Sequence, residues 1–166
     1  MKIHSRPLND DDFKQMRALL LTEGANEWNY ITDESIEQQF DLIREEKALA
    51  VLAEEDGIFG FAVLMLKSAC PSTLSKYSEL SSIAYIGDVV VSLTLSGKGI
   101  GSELLNKCVG IAREEQCREV YIERHEENLA SAGMMRKAGF ELVETFYDPD
   151  KRFVGSRKTS VLVKCP

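Results

Sequence analysis

The 166-residue sequence is poor in the residues that most often announce a metal or redox site. It has two histidines, His4 and His125, far apart in sequence, and four cysteines, Cys70, Cys108, Cys117 and Cys165. None is spaced C-x-x-C, so neither a zinc knuckle nor a dithiol pair is suggested, and no metal is expected. Reduced thiols of a cytosolic protein are the simple reading. No apolar run approaches the roughly 20 residues a membrane span needs. The start, MKIHSRPLNDDD, lacks the apolar segment of a secretion signal, so a cytoplasmic location is expected, with no membrane partner. Basic residues are also in the minority: 20 Lys and Arg against 27 Asp and Glu give a formal charge of −7. A nucleic-acid binder wants a basic face, so nucleic acid is not an expected partner, whereas a cationic amine is compatible with this charge.

An apolar content of 44% and a charged content of 28% are those of an ordinary globular chain. The length fits one domain, 1–166. Seven β-type segments are predicted, at 2–8, 48–55, 58–67, 82–92, 118–124, 140–146 and 158–164. Four helical segments are predicted, at 10–22, 33–46, 99–115 and 128–138. Asn9 or Asp10 is placed to cap the first helix and Asp33 the second. Asp56-Gly57 reads as a two-residue type I′ hairpin turn. Residues 68–79, with Pro71, read as a long loop of the kind that shapes access to a site.

The most informative stretch is DVVVSLTLSGKGIGSELL, Asp88 to Leu105. A β-branched strand runs into a loop holding Gly97, Gly99 and Gly101, and a helix follows at once. Such a loop can turn main-chain N–H groups toward a phosphate at the positive end of a helix. The spacing G-x-G-x-G is too short for a dinucleotide fingerprint, and Lys98 lies inside the loop rather than after it, as a P-loop would need. A tight strand-to-helix turn remains the alternative for this stretch alone.

The run S-G-K-G-I-G, Ser96 to Gly101, resembles the acetyl-CoA loop of the GNAT family of N-acetyltransferases, usually written [QR]-x-x-G-x-[GA]. A second segment supports it: Asn128 is followed at family spacing by a helical run ending in Gly139-Phe140. Two departures stand out. Ser96 occupies the place of Gln or Arg, and Met135 that of the family's usual Tyr.

The resemblance implies an α/β (α+β) fold, a central mixed, mostly antiparallel twisted sheet of about seven strands flanked by about four helices. It implies acetyl-CoA as cosubstrate and a primary amine of a small molecule or peptide as acceptor. The amides from Gly97 through Lys98, Gly99, Ile100 and Gly101 to Ser102 would hold the diphosphate. Val89, Val90 and Val91 would pair with the pantetheine arm, with a strand bulge near Val91 freeing an N–H for the developing oxyanion. Asn128 would bond the same arm, and Met135 would pack against it. Trp28 and Tyr30, in the segment between the first two helices, would line the acceptor wall. Two carboxylates are candidates for the base: Glu123, at the end of the strand before Asn128, and Asp88, among valines. Met135 has no proton to give, which leaves Tyr121, Tyr147 or Ser131 as candidate donors. Homodimers are common in such a family, but no exposed apolar stripe compels one here. An acyl-CoA-binding relative without turnover remains the alternative, on the strength of Ser96 and Met135.

Overall fold

The computed structural model describes residues 1–166. Seven strands form one sheet in the order β1-β2-β3-β4-β5-β7-β6. They are β1 (Lys2–Ser5), β2 (Ala48–Glu54), β3 (Ile58–Leu66), β4 (Ile83–Val91), β5 (Glu119–His125), β6 (Glu141–Tyr147) and β7 (Lys158–Lys164). Only β4 and β5 are parallel. Four α-helices flank the sheet: α1 (Asp10–Leu19), α2 (Asp33–Arg44), α3 (Ile100–Glu114) and α4 (Leu129–Lys137).

Both faces of the sheet centre are covered, which explains why β2 reads ALAVLA without polar alternation. Val51 and Ala53 pack toward α3 with Leu104, Leu105, Cys108 and Ala112. The alternate residues Ala50 and Leu52 pack toward α1 and α2 with Phe13, Met16, Ile36 and Phe40. A third cluster joins Tyr85 and Tyr121 to Cys70 and Leu74. The segment 68–79 is therefore not an open loop. It folds into short 3₁₀ turns, and its buried Leu74 and Cys70 hold it on the sheet.

Helix starts follow local chemistry. Asn9 caps α1 in a reciprocal box, its side chain accepting from the Asp12 N–H at 2.9 Å while Asp12 accepts from the Asn9 N–H at 2.8 Å. The cap of α2 is Thr32, not Asp33. Thr32 has extended backbone and accepts from the Ser35 N–H at 3.0 Å, which leaves Asp33 as the first helical residue, where its charge suits the helix dipole. The first strand stops at Ser5 rather than running to residue 8. Arg6 turns away to pair with Asp12 and Glu54, and Pro7 has no N–H to give a ladder. The β2–β3 connection spans residues 55–57, with a register slip at Ala53–Glu54, so a three-residue bulged loop replaces the expected two-residue turn.

Candidate active site

The site begins where β4 and β5 part. Their parallel pairing runs from Ile83↔Glu119 to Ile86↔Ile122 and goes no further. At the same place β4 slips register against β3: Ala62 pairs with Val89 but Leu64 with Ile86, so Gly87 and Asp88 together oppose Val63. This is the bulge expected near Val91, placed instead at Gly87–Asp88. An added residue bends a strand and raises its twist, which carries the end of β4 away from β5.

Beyond the bulge the edge of β4 is open. Ser92 N–H donates to Phe59 O at 2.7 Å, so Ser92 and Val90 face β3. Strand alternation then turns the N–H and C=O of Val89 and Val91 to the opposite edge, the one β5 has left. Val89, Val90 and Val91 all line a cleft of about 480 Å³ running between β4, the glycine loop and α4.

The loop supplies the cleft's polar end. Gly97 and Gly99 adopt φ of +78° and +77°, a left-handed geometry that favours glycine. Gly99 is the N-cap of α3, and no side chain caps it. The first N–H groups of α3 therefore lack side-chain partners, at the end of the helix where the dipole is positive. Ser96, Gly97, Gly99, Ile100, Gly101 and Ser102 line the cleft, whereas Lys98 is exposed outside it. The Ser102 hydroxyl is already used, donating to Met134 O at 3.1 Å. A Cβ on Gly101 would stand 2.5 Å from Met134 Sδ, so a bare backbone there is what lets α3 and α4 meet at the cleft.

The opposite wall is α4. Asn128, buried, caps it by accepting from the Ser131 N–H at 3.2 Å, and it also lines the cleft. Ala130, Gly133, Met134 and Lys137 follow at helical spacing on the same wall. Met135 points away from this cleft into the core and is only 3% exposed, reaching the site solely through the smaller cavity below. The wall residues Met134 and Lys137 were missed in the sequence; the i, i+3, i+4, i+7 stripe from Ala130 was the available signal.

A floor cavity of about 80 Å³ lies in the fork between β4 and β5 and brings Asp88 and Glu123 together with Arg124, Ser131 and Met135. The two carboxylates differ in their surroundings. Glu123 Oε1 is 2.7 Å from Lys151 Nζ and 3.3 Å from the Tyr85 hydroxyl. Asp88 has no cation within ion-pair distance. Gln39 of α2 holds it, donating from Nε2 to Oδ2 at 2.5 Å and accepting from the Asp88 N–H at 3.1 Å. Gly87 permits this reach, since a Cβ there would lie 2.6 Å from Gln39 Oε1. Burial raises the Asp88 pKa above the ordinary carboxylate value, with the Gln39 hydrogen bond offsetting part of the effect.

The acceptor-side aromatics flank these spaces rather than line them. Trp28 packs on the His125 ring at 4.8 Å between centroids, and Tyr30 meets Phe153 edge-on at 5.2 Å. Asn26 and Asn29 of the same segment do line the cleft. Glu23, in the single π turn that extends α1, accepts from the Leu93 N–H at 3.0 Å and ties this wall to the exit of β4. No residue of 68–80 lines either space. Of the candidate proton donors, Tyr121 is buried against Tyr77, Tyr147 is exposed at the end of β6, and Ser131 lines both cleft and cavity. No group of three or more metal-ligating side chains is assembled, and no helix is long and apolar enough to cross a membrane.

A sheet forked at its only parallel pair, with a glycine-capped helix at the mouth of the fork, is the architecture of an acyl-CoA-dependent transferase. Residues 13–140 match the model of the acetyltransferase (GNAT) family, and the chain belongs to that family. Solved structures share the fold at low identity. Aminoglycoside acetyltransferase AAC(6')-Ib in complex with coenzyme A is 18% identical, with 99% of this chain and 95% of that one covered and a TM-score of 0.75. A ribosomal-protein-alanine N-acetyltransferase from Brucella melitensis is 20% identical over the whole of both chains, with a TM-score of 0.75. YncA from Salmonella typhimurium, a putative acetyltransferase with its cofactor acetyl-CoA, is 17% identical over 99% and 94%, with a TM-score of 0.72. The protein is thus an acetyltransferase by family, and the donor held in the last of these neighbours is acetyl-CoA. The cleft fits that donor: an uncapped helix start for phosphates, and a free strand edge for an extended amide-bearing arm.

Proposed function

We propose that the chain acts as one domain that moves an acetyl group from acetyl-CoA to a primary amine of a small molecule or peptide, by direct attack with both substrates bound. The supporting observation is Asp88: a half-buried carboxylate with no cation within ion-pair distance, in the bulge where the strands part. The main-chain N–H groups from Gly97 to Ser102 hold the diphosphate, with the start of α3 adding its field. The free edge at Val89 and Val91 pairs with the pantetheine arm and presents an N–H to the oxygen that gains charge, a contact worth about 3 kcal/mol in other enzymes. Acetyl-CoA supplies the activated acyl carbon. Asp88 takes the proton that the attacking nitrogen must lose, directly or through a water, and the upward shift of its pKa makes it a stronger base than an ordinary carboxylate. Glu123 is less suited, because its Oε1 is already engaged by Lys151 Nζ at 2.7 Å. Ser131 is the one hydroxyl residue that lines both spaces, and its O–H is assigned to the leaving sulfur.

The neighbours bracket the acceptor: one is named for aminoglycosides and another for a protein's alanine. The rival reading, an acyl-CoA-binding module without turnover, draws on Met135, whose side chain is buried and carries no proton to donate. Release of CoA thiol, followed over a panel of primary amines, separates the two. Turnover with at least one amine supports transfer. Tight acetyl-CoA binding with no turnover on any amine contradicts it.

A further inference from the structure

Arg124 is a cation with three of its five N–H donors unused. Its Nη1 donates to the carbonyl oxygens of His125 at 3.1 Å and Glu126 at 2.6 Å, which fixes the guanidinium against the turn between β5 and α4. Nε is buried and has no partner, and Nη2 makes no hydrogen bond within the protein. No carboxylate stands within ion-pair distance of it. The Nε–Nη2 side is the edge of a guanidinium that accepts a carboxylate through two parallel hydrogen bonds. A buried donor left without a partner is costly, so a chain that keeps one on a cation lining a reaction cavity is expected to receive the counter-charge from a ligand.

The charges around the floor cavity say which ligand. Arg124, Asp88 and Glu123 all line this space of about 80 Å³. Glu123 is neutralised by Lys151 at 2.7 Å. What remains is one negative group, Asp88, and one positive group, Arg124, facing the same small volume. That pattern complements a zwitterion. We propose that the acceptor is an amino acid, its ammonium set against Asp88 and its carboxylate held by the unpaired Nε–Nη2 edge of Arg124. The proposal rests on the acetyl-transfer reading and narrows its acceptor. A peptide amine lacks a free carboxylate this close to the nitrogen, and a polycationic amine would leave Arg124 unpaired and add repulsion.

The reaction is balanced without a further reagent. The ammonium gives one proton to Asp88, the amino nitrogen forms a bond to the acetyl carbon, the carbon–sulfur bond breaks, the nitrogen's second proton passes to the thiolate, which leaves as CoA, and Asp88 returns its proton to solvent. Arg124 touches only the carboxylate and sets specificity.

The test is calorimetric titration of the CoA-bound protein with a panel of L-amino acids and their carboxamides, at about pH 6.5, where both kinds of amine are cationic. At least one amino acid is expected to bind at least about tenfold more tightly than its amide, as a bidentate charged contact predicts. Arg124→Met should remove that preference, and Arg124→Lys should restore only part of it, because the charge returns without the fork. If Arg124→Met does not fold, the acid-against-amide comparison on the unaltered protein decides alone. Amides that bind as tightly as acids, or no amino acid binding while CoA binds, overturn the proposal. Turnover keeps the two readings apart. An amino acid bound with the expected preference but never acetylated contradicts acetyl transfer and leaves the anion site. Turnover indifferent to the carboxylate does the reverse.

Discussion

Replacing Asp88 by Asn separates catalysis from binding at one atom. The side chain keeps its size, and its remaining oxygen can still accept from Gln39 Nε2, so the clamp on the bulge survives. The basic site is gone. Positioned general bases contribute about 10²- to 10⁴-fold, or about 3–5.5 kcal/mol of barrier. A loss toward the upper part of that range is expected in kcat/KM, because the other carboxylate in the cavity is engaged by Lys151. Affinity for CoA should not change, since Asp88 lies in the floor cavity and does not line the donor cleft. The pH dependence has a definite sign. Burial raises the Asp88 pKa, so the folded state holds this proton more tightly than the unfolded chain does. Native stability therefore falls as pH rises from the ordinary carboxylate value through the raised one, while activity rises over the raised value. Asp88→Asn should remove the acid limb of the rate profile and should melt no lower than the parent at neutral pH. The assay is CoA release across pH, paired with calorimetry for CoA and a thermal melt. A variant that keeps kcat/KM within about threefold would refute the assignment of Asp88 as base.

Three further outcomes follow from the geometry. Gly101→Val places a branched carbon where Met134 Sδ now sits 2.5 Å from the Cβ position; Met134 is driven into the cleft, and CoA affinity should drop at least about tenfold by calorimetry. Gly87→Ala displaces Gln39 from Asp88, so kcat should fall while CoA affinity holds; an unchanged kcat would mean that the clamp does not matter. Glu54→Gln weakens the cluster with Arg6 and His4 that joins β1 to β2. Arg6 chiefly, with His4, holds the Glu54 carboxyl near a pKa of about 2, so its contribution is complete above its ordinary value of 4.5 and is lost as pH falls toward 2. Denaturant unfolding should show a cost of about 1–3 kcal/mol at neutral pH, allowing for partial exposure, and a gap that closes in acid.

Much of the fold was legible because its signals are local. The β-branched run before Gly97, the Asn9 box and the continuous apolar run of β2 each follow from residues a few positions apart. The glycine loop and Asn128 marked the donor cleft for the same reason. What escaped the sequence depends on contacts across the chain. The bulge sits at Gly87–Asp88, where it is held by Gln39, 49 residues away from Asp88, across the bare Cα of Gly87. Glu123 stands ahead of Asp88 as the base in the sequence, from its place before Asn128, but Lys151 of the β6–β7 connection engages it, a contact 28 residues apart. The segment 68–79 reads as polar loop, yet Leu74 and Cys70 bury it on Tyr85 and Tyr121. Met134 rather than Met135 faces the cleft, a matter of helix phase that a motif position does not report.

The central claim is that acetyl-CoA lies in the fork, its phosphates on the start of α3 and its arm along β4. Amide chemical shifts followed during a CoA titration test it most directly. The account predicts saturable changes concentrated at Val89, Val91 and Gly97 to Ser102, with the far edge at β1 and β2 unmoved. Saturable binding that leaves those amides untouched, or no binding at all, would contradict it.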